Sequence, residues 1–135
     1  MSGNAVTPPD TQLVLFVCPH GAGKSRMAAA YFNAATGPGW QATSAGITPQ
    51  QTVSAHAGRL LAGTGAEHAL DAALPRHVDA VPNPRLVVAI DCQQAGAIAW
   101  TLRNQEFDIA MRDEIRDLVE DLASTLGASE AHRTP

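Results

Sequence analysis

Apolar and polar positions alternate along the chain in a way that predicts strands separated by helices. Residues 13–17 (LVLFV) and 85–91 (RLVVAID) carry continuous apolar runs, which are typical of strands buried on both faces. The Ala-rich stretch 25–35 contains no Gly or Pro and predicts a helix that stops at the Gly-Pro-Gly of 37–39. Residues 40–46 (WQATSAG) predict a second short strand.

The second half of the chain predicts further helices around the apolar run 85–91. Two short helical stretches, 54–63 and 66–74, are punctuated by Gly and Pro. Over residues 106–126 apolar side chains recur at spacings of three and four, which predicts a final amphipathic helix. Strands that alternate with helices imply right-handed crossovers and a parallel sheet, which binds ligands beyond the carboxyl ends of its strands.

The composition is that of one small globular domain. The chain has 135 residues, of which 45% are hydrophobic and 16% charged, and its formal net charge is -4 at pH 7. This charge gives no electrostatic attraction to nucleic acid or to an anionic membrane, and the apolar runs are too short to span a bilayer. We expect a cytoplasmic domain at residues 13–126, with flexible segments at 1–12 and 127–135.

The stretch CPHGAGKS, which begins at Cys18, joins the first predicted strand to the first predicted helix. Backbone N–H groups in such a loop, together with the helix dipole, form a site for an oxyanion. Gly21 and Gly23 permit the positive φ values that turn these N–H groups inward. A thiol beside Lys24 and the helix N-terminus should ionise more readily than a free cysteine, which makes Cys18 a candidate nucleophile. Ser25 could donate a hydrogen bond to its thiolate.

The predicted site therefore has two groups of residues. The candidate catalytic residues are Cys18, Lys24 and Ser25, and the candidate anion-binding loop consists of Pro19, His20, Gly21, Ala22 and Gly23. A competing interpretation takes GAGKS and the strand LVVAID as pieces of the two motifs of a nucleotide-binding P-loop protein, with Cys18 in the place of the first glycine. The two cysteines and five histidines show no metal-ligand spacing, so we expect no metal and no cofactor.

The segment VLFVCPHGAGKSRMA resembles the active-site segment of the low-molecular-weight protein tyrosine phosphatases and the related thioredoxin-coupled arsenate reductases, which read strand, Cys, five residues, Arg, Ser, helix. TSAGITP at 43–49 resembles the Ser-Ala-Gly strand of that family, and RDEIRDLVEDL at 112–122 resembles its C-terminal helix. The resemblance implies a three-layer, flavodoxin-like α/β fold, with a four-stranded parallel sheet and helices on both faces. It also implies that the loop binds phosphate or a related oxyanion, that Ser44 supports the loop, and that a phosphorylated protein is a candidate partner.

Three departures from the family pattern lower the expected activity. Lys24 replaces an arginine whose planar fork grips two oxyanion oxygens, and Gly21 replaces an asparagine that would bond Ser44. Asn104 stands where the family has its general-acid aspartate, and an amide cannot protonate a leaving oxygen. The resemblance offers Cys92 as a resolving thiol, as a second cysteine is in the reductases.

The sequence thus predicts a phosphatase-like protein of low activity that uses Cys18 as its nucleophile. A non-catalytic protein that binds an oxyanion or a phosphopeptide, and an arsenate reductase, remain as alternatives. The P-loop nucleotide-binding protein is the weaker fourth interpretation.

Overall fold

Four parallel strands form the centre of the fold, which a computed structural model describes for residues 11–127. The strands are β1 (Gln12–Cys18), β2 (Trp40–Gly46), β3 (Leu86–Ile90) and β4 (Ile98–Trp100), and their order across the sheet is β2-β1-β3-β4. The two long apolar runs are the neighbouring central strands, as predicted, with Val17 opposite Ala89. The predicted flavodoxin-like α/β fold is confirmed.

Three helices connect and cover the strands: α1 (Lys24–Ala35), α2 (Ala55–Leu61) and α3 (Ile109–Thr125). Helix α1 is buried along most of its length, and its small alanine side chains allow the sheet and α3 to approach it closely. Helix α3 begins later than its apolar spacing predicted because Asp108 caps it, accepting a hydrogen bond from the backbone N–H of Met111 at 3.1 Å.

The prediction of a helix at residues 66–74 is wrong. This stretch contains only one 3₁₀ turn, Glu67–Ala69, and the backbone is extended at Leu70. The carbonyl group of Asp71 accepts a hydrogen bond from the side chain of Arg26, so a long-range contact takes the place of a helical one there. Pro75 also limits any continuation of a helix.

The two faces of the sheet carry layers of unequal thickness. Val14, Phe16 and Cys18 of β1 face the core formed with α1, α2 and α3. Leu15 and Val17 face the other side, where a smaller cluster includes residues around a single 3₁₀ turn at Val78–Ala80. In the described part of the chain, the helical layer on that face is therefore one short turn, and the helix-rich face holds most of the apolar core.

The flexible segments predicted at 1–12 and 127–135 lie outside the described residues, apart from positions 11, 12 and 127. Within residues 11–127, no helix combines the length and the apolar character needed to cross a membrane.

Candidate active site

The loop between β1 and α1 lies at the carboxyl edge of the sheet and is hydrogen-bonded to the chain segment 47–54. Four of its carbonyl groups accept backbone hydrogen bonds of 2.8–3.3 Å, from Ile47 to Cys18, from Thr48 to Pro19, from Gln50 to His20 and from Ser54 to Ala22. Within the described part of the chain, the backbone N–H groups of residues 20–23 donate to no other residue. The loop therefore commits its acceptors to the protein and leaves these donors for an anion.

Two glycines allow the loop to lie directly on the end of β2. Gly21 has φ +66°, and a Cβ atom built on it would lie 2.6 Å from the backbone N of Gly46. A Cβ atom on Gly46 would in turn lie 2.6 Å from the backbone N of Gly21. This contact explains the Ser-Ala-Gly ending of β2. The Ser44 hydroxyl in the same strand is buried and has no hydrogen-bond partner among the described residues, so no side-chain bond supports the loop there.

The structure brings Cys18 and Ser25 together at the base of the loop. The Cys18 Sγ lies 3.1 Å from the Ser25 Oγ, and both side chains are buried. The Ser25 Oγ also lies 3.5 Å from the carbonyl oxygen of Ala45. When Cys18 is a thiolate, the serine hydroxyl can only donate to it, which stabilises the ionised sulfur.

Lys24, the predicted anion-binding cation, is paired inside the protein. Its Nζ lies 2.7 Å from the Oδ2 of Asp91, the residue that follows β3. Asp91 also accepts hydrogen bonds from the Leu102 N–H at 2.9 Å and the Gln105 Nε2 at 3.2 Å. Burial alone would raise the pKa of Asp91, but the hydrogen bonds from Lys24 and Leu102 outweigh it and lower that pKa. The carboxylate therefore stays ionised and compensates the charge of Lys24.

Replacing Asp91 with Asn is expected to raise the affinity of the loop for phosphate about threefold to tenfold, because Lys24 then lacks its counter-charge. Asn also tolerates the left-handed φ of +55° at this position, so the backbone should be kept. Titration of phosphate followed by NMR or calorimetry measures the change. Asp121→Asn, on an exposed position of α3, changes the net charge equally and should leave the affinity unchanged. If the affinity of Asp91→Asn for phosphate is unchanged or weaker, Asp91 does not withhold the charge of Lys24 from the anion.

A cavity of about 580 Å³ opens above the loop, and its lining includes an aromatic pair. The rings of His56 and Phe107 stack with centroids 4.7 Å apart and an interplanar angle of 13°. The Nη2 of Arg59 lies 2.6 Å from the Nδ1 of His56 and also donates to the Phe107 carbonyl at 3.1 Å. Because a guanidinium only donates, Nδ1 accepts, and the ring proton of His56 resides on Nε2. The sequence pattern gave no indication of this pair.

The fold of the chain is similar to that of solved structures of known proteins. The crystal structure of arsenate reductase from Archaeoglobus fulgidus DSM 4304 is 31% identical in sequence, with a TM-score of 0.66, covering 82% of this chain and 98% of that one. The chain belongs to the low-molecular-weight protein tyrosine phosphatase and arsenate reductase family. No protein-family model and no curated protein sequence matches the chain. Membership of this family replaces the nucleotide-binding interpretation of GAGKS.

Two further structures of the family share the fold at lower identity. The low-molecular-weight protein tyrosine phosphatase from T. tengcongensis is 21% identical, with a TM-score of 0.63, covering 85% of this chain and 99% of that one. An arsenate reductase in the phosphate-binding state is 16% identical, with a TM-score of 0.64, covering 85% of this chain and 98% of that one. Both support the same arrangement of strands and helices.

Two residues singled out by the family pattern lie away from the cavity. The side chain of Asn104 donates to the Oε1 of Glu114 on α3 at 2.9 Å, and Asn104 does not line the cavity. The Cys92 Sγ donates to the carbonyl of Val17 at 3.6 Å and packs in the smaller apolar cluster, on the opposite face of the sheet from Cys18. Burial, and next the charge of Cys18, raise the pKa of the Cys92 thiol. The thiol is therefore mostly protonated at neutral pH.

Proposed function

We propose that this protein is a cysteine-dependent phosphomonoesterase of the low-molecular-weight phosphatase class, with weak activity. One observation carries the proposal: the buried Cys18 sulfur lies 3.1 Å from the Ser25 hydroxyl, beneath a loop whose N–H groups at 20–23 donate to no other described residue. A nucleophile, a donor for its thiolate and a set of anion-binding amides are the parts that attack on a phosphate ester requires.

The reaction we propose has two steps. The loop amides bind the phosphoryl oxygens, and the Cys18 thiolate attacks phosphorus and displaces the ester oxygen. Water then releases phosphate and returns the thiolate as leaving group, which the Ser25 hydroxyl stabilises by donating a hydrogen bond. The stacked wall of His56 and Phe107 offers an apolar surface for an aryl leaving group. A phosphorylated protein that presents such a group is the partner we propose.

Two features make the proposed activity weak. Lys24 is a point charge that Asp91 already compensates at 2.7 Å, so it adds little to transition-state binding. No Asp or Glu within residues 11–127 lines the cavity, and the side chain of Asn104 is engaged with Glu114. The leaving oxygen thus departs without a carboxylic acid to protonate it.

Arsenate reduction is the second candidate function. The similarity of 31% to an arsenate reductase favours it, as does the Cys92 sulfur, which lies 3.6 Å from the carbonyl of the residue before Cys18. Two thiols supply the two electrons that convert arsenate to arsenite, and an external thiol must then reduce the disulfide formed. We place this candidate second because Cys92 lies on the other face of the sheet and its thiol has a raised pKa.

Turnover of 4-nitrophenyl phosphate, phenyl phosphate and phosphotyrosine tests the first proposal. Without a general acid, we expect the rate to fall by about a hundredfold or more from the activated ester to phosphotyrosine. Initial rates at one pH and saturating substrate give the comparison, with Cys92→Ser as the control that should match the wild type.

Three other outcomes would overturn this proposal in distinct ways. Equal turnover of all three esters would show that another acid acts in the cavity. Phosphate that protects Cys18 from alkylation, without any turnover, would show a non-catalytic oxyanion-binding protein. Arsenite production in the presence of dithiothreitol that is lost in Cys92→Ser would show the reductase.

A further inference from the structure

Arg26 is the largest fully buried side chain of the described residues, although it follows directly after Ser25 on the helix that leaves the loop. Its Nε donates to the carbonyl of Gly21 at 3.1 Å, and its Nη1 donates to the carbonyl of Asp71 at 2.6 Å. Its Nη2 is buried and has no hydrogen-bond partner in the described part of the chain. A guanidinium is rarely buried in this way without a carboxylate against it.

The charge of Arg26 differs from that of Lys24 in how it is compensated. Lys24 is in direct contact with a carboxylate, whereas among residues 11–127 the hydrogen bonds of Arg26 go to carbonyl oxygens alone. The carboxylate of Asp71 binds Arg76 instead, through a 2.9 Å contact between Oδ2 and Nη2. Burial lowers the pKa of Arg26, while the charges of Asp71 and of the Cys18 thiolate act in the opposite direction. Arg26 remains a cation, since a guanidinium does not lose its proton in a protein.

The hydrogen bond to Gly21 also sets the direction of a neighbouring amide. The C=O of Gly21 and the N–H of Ala22 belong to one planar trans peptide group, so they point in opposite directions. With the carbonyl held by Arg26 in the protein interior, the N–H of Ala22 is directed the other way, and Ala22 lines the cavity above the loop.

We propose that Arg26 is a positioning residue of the anion loop: it holds the Gly21 carbonyl so that the Ala22 N–H faces the oxyanion, and it supplies positive charge from beneath the loop. This inference rests on the proposed role of Cys18 as a thiolate nucleophile. Lys24 is paired with Asp91 and does not provide an uncompensated positive charge. The inference assigns that charge to Arg26, a buried residue outside the motif that runs from Cys18 to Ser25.

The reactivity of Cys18 as a function of pH tests the charge that Arg26 supplies. Two further charged groups, Asp71 and Arg76, lie beside Arg26, and the titratable groups around the loop include Lys24, Asp91, Cys92, His20 and His56. A Cys92→Ser background leaves one cysteine to alkylate, and in that background we compare Arg26→Met, Arg26→Lys and the control Arg103→Met. The control removes the same charge from a side chain that is 91% exposed.

In Arg26→Met we expect alkylation of Cys18 by iodoacetamide at pH 7 to slow at least about threefold, with the pH profile displaced to the alkaline side. Phosphate affinity, measured from protection against alkylation, should fall about tenfold because the Ala22 amide is no longer held. Arg26→Lys keeps the charge but cannot donate to the carbonyls of Gly21 and Asp71 at the same time with the geometry of a guanidinium. Its pH profile should therefore stay near that of the parent, while its phosphate affinity falls. Arg103→Met should match the parent in both measurements.

A folded Arg26→Met protein with the parent's pH profile would overturn the charge role. Circular dichroism establishes whether that variant folds, and if it does not, Arg26→Lys decides: unchanged phosphate affinity there would overturn the positioning role. If phosphate fails to protect Cys18 in the parent protein, the proposed function is wrong, while the alkylation profiles still test the charge of Arg26.

Discussion

Cys18→Ser is expected to reduce the turnover of activated aryl phosphates to the uncatalysed background, a loss of at least about a thousandfold for removal of a nucleophile. The serine hydroxyl is not ionised at neutral pH, and neither Ser25 nor the loop amides can take over the attack on phosphorus. Initial rates with 4-nitrophenyl phosphate measure the effect.

The same variant should still bind phosphate, because the N–H groups of residues 20–23 do not depend on the sulfur. Retained binding with lost turnover separates a missing nucleophile from a collapsed loop. Cys92→Ser serves as the matched control and should keep the wild-type rate, since Cys92 lies outside the cavity. Turnover that survives Cys18→Ser would refute the covalent mechanism.

Gly46→Ala is expected to lower the free energy of unfolding by about 3 kcal/mol or more, because the added methyl group meets backbone that cannot move aside. Its Cβ would lie 2.6 Å from the Gly21 N and 2.6 Å from the carbonyl carbon of His20. Since the obstructing atoms belong to the anion loop, any relief by movement should also weaken phosphate binding. Urea denaturation gives the unfolding free energy from the midpoint and slope.

Gly65→Ala provides the control for Gly46→Ala. A Cβ at Gly65 has no neighbour within 4 Å, and its φ is not in the left-handed region. The substitution should therefore be neutral or stabilising by about 0.5 kcal/mol, because it restricts the unfolded chain. Equal midpoints for the two variants would show that β2 and the loop are not packed as closely as described.

The sheet and the loop could be predicted from the sequence because their signals are local. An uninterrupted apolar run marks each central strand, and the glycines between Cys18 and Lys24 mark a loop that precedes a helix. Strand β4 carries no such signal, since it has only three residues and two of them are exposed. The family resemblance implied a fourth strand without locating it.

The charges of the site could not be predicted because their partners are distant in sequence. Lys24 and Asp91 are 67 positions apart, and only the pairing of β1 with β3 brings their ends together. The sequence presents Arg26 as an ordinary polar position of a helix, because its contact with the carbonyl of Asp71 joins residues 45 positions apart. Local propensity carries no information on either contact.

The hydrogen bonds between the loop carbonyls and the segment 47–54 make these two stretches one cooperative unit of local unfolding. The amides of Ile47, Thr48 and Ser54 exchange with deuterated solvent when their hydrogen bonds to the loop carbonyls open. An anion that holds the loop closed would therefore slow deuterium uptake at Ile47 and Thr48, the two residues of this group that do not line the cavity. Deuterium uptake at these two amides therefore reports whether the anion site is occupied, without a probe attached to the protein.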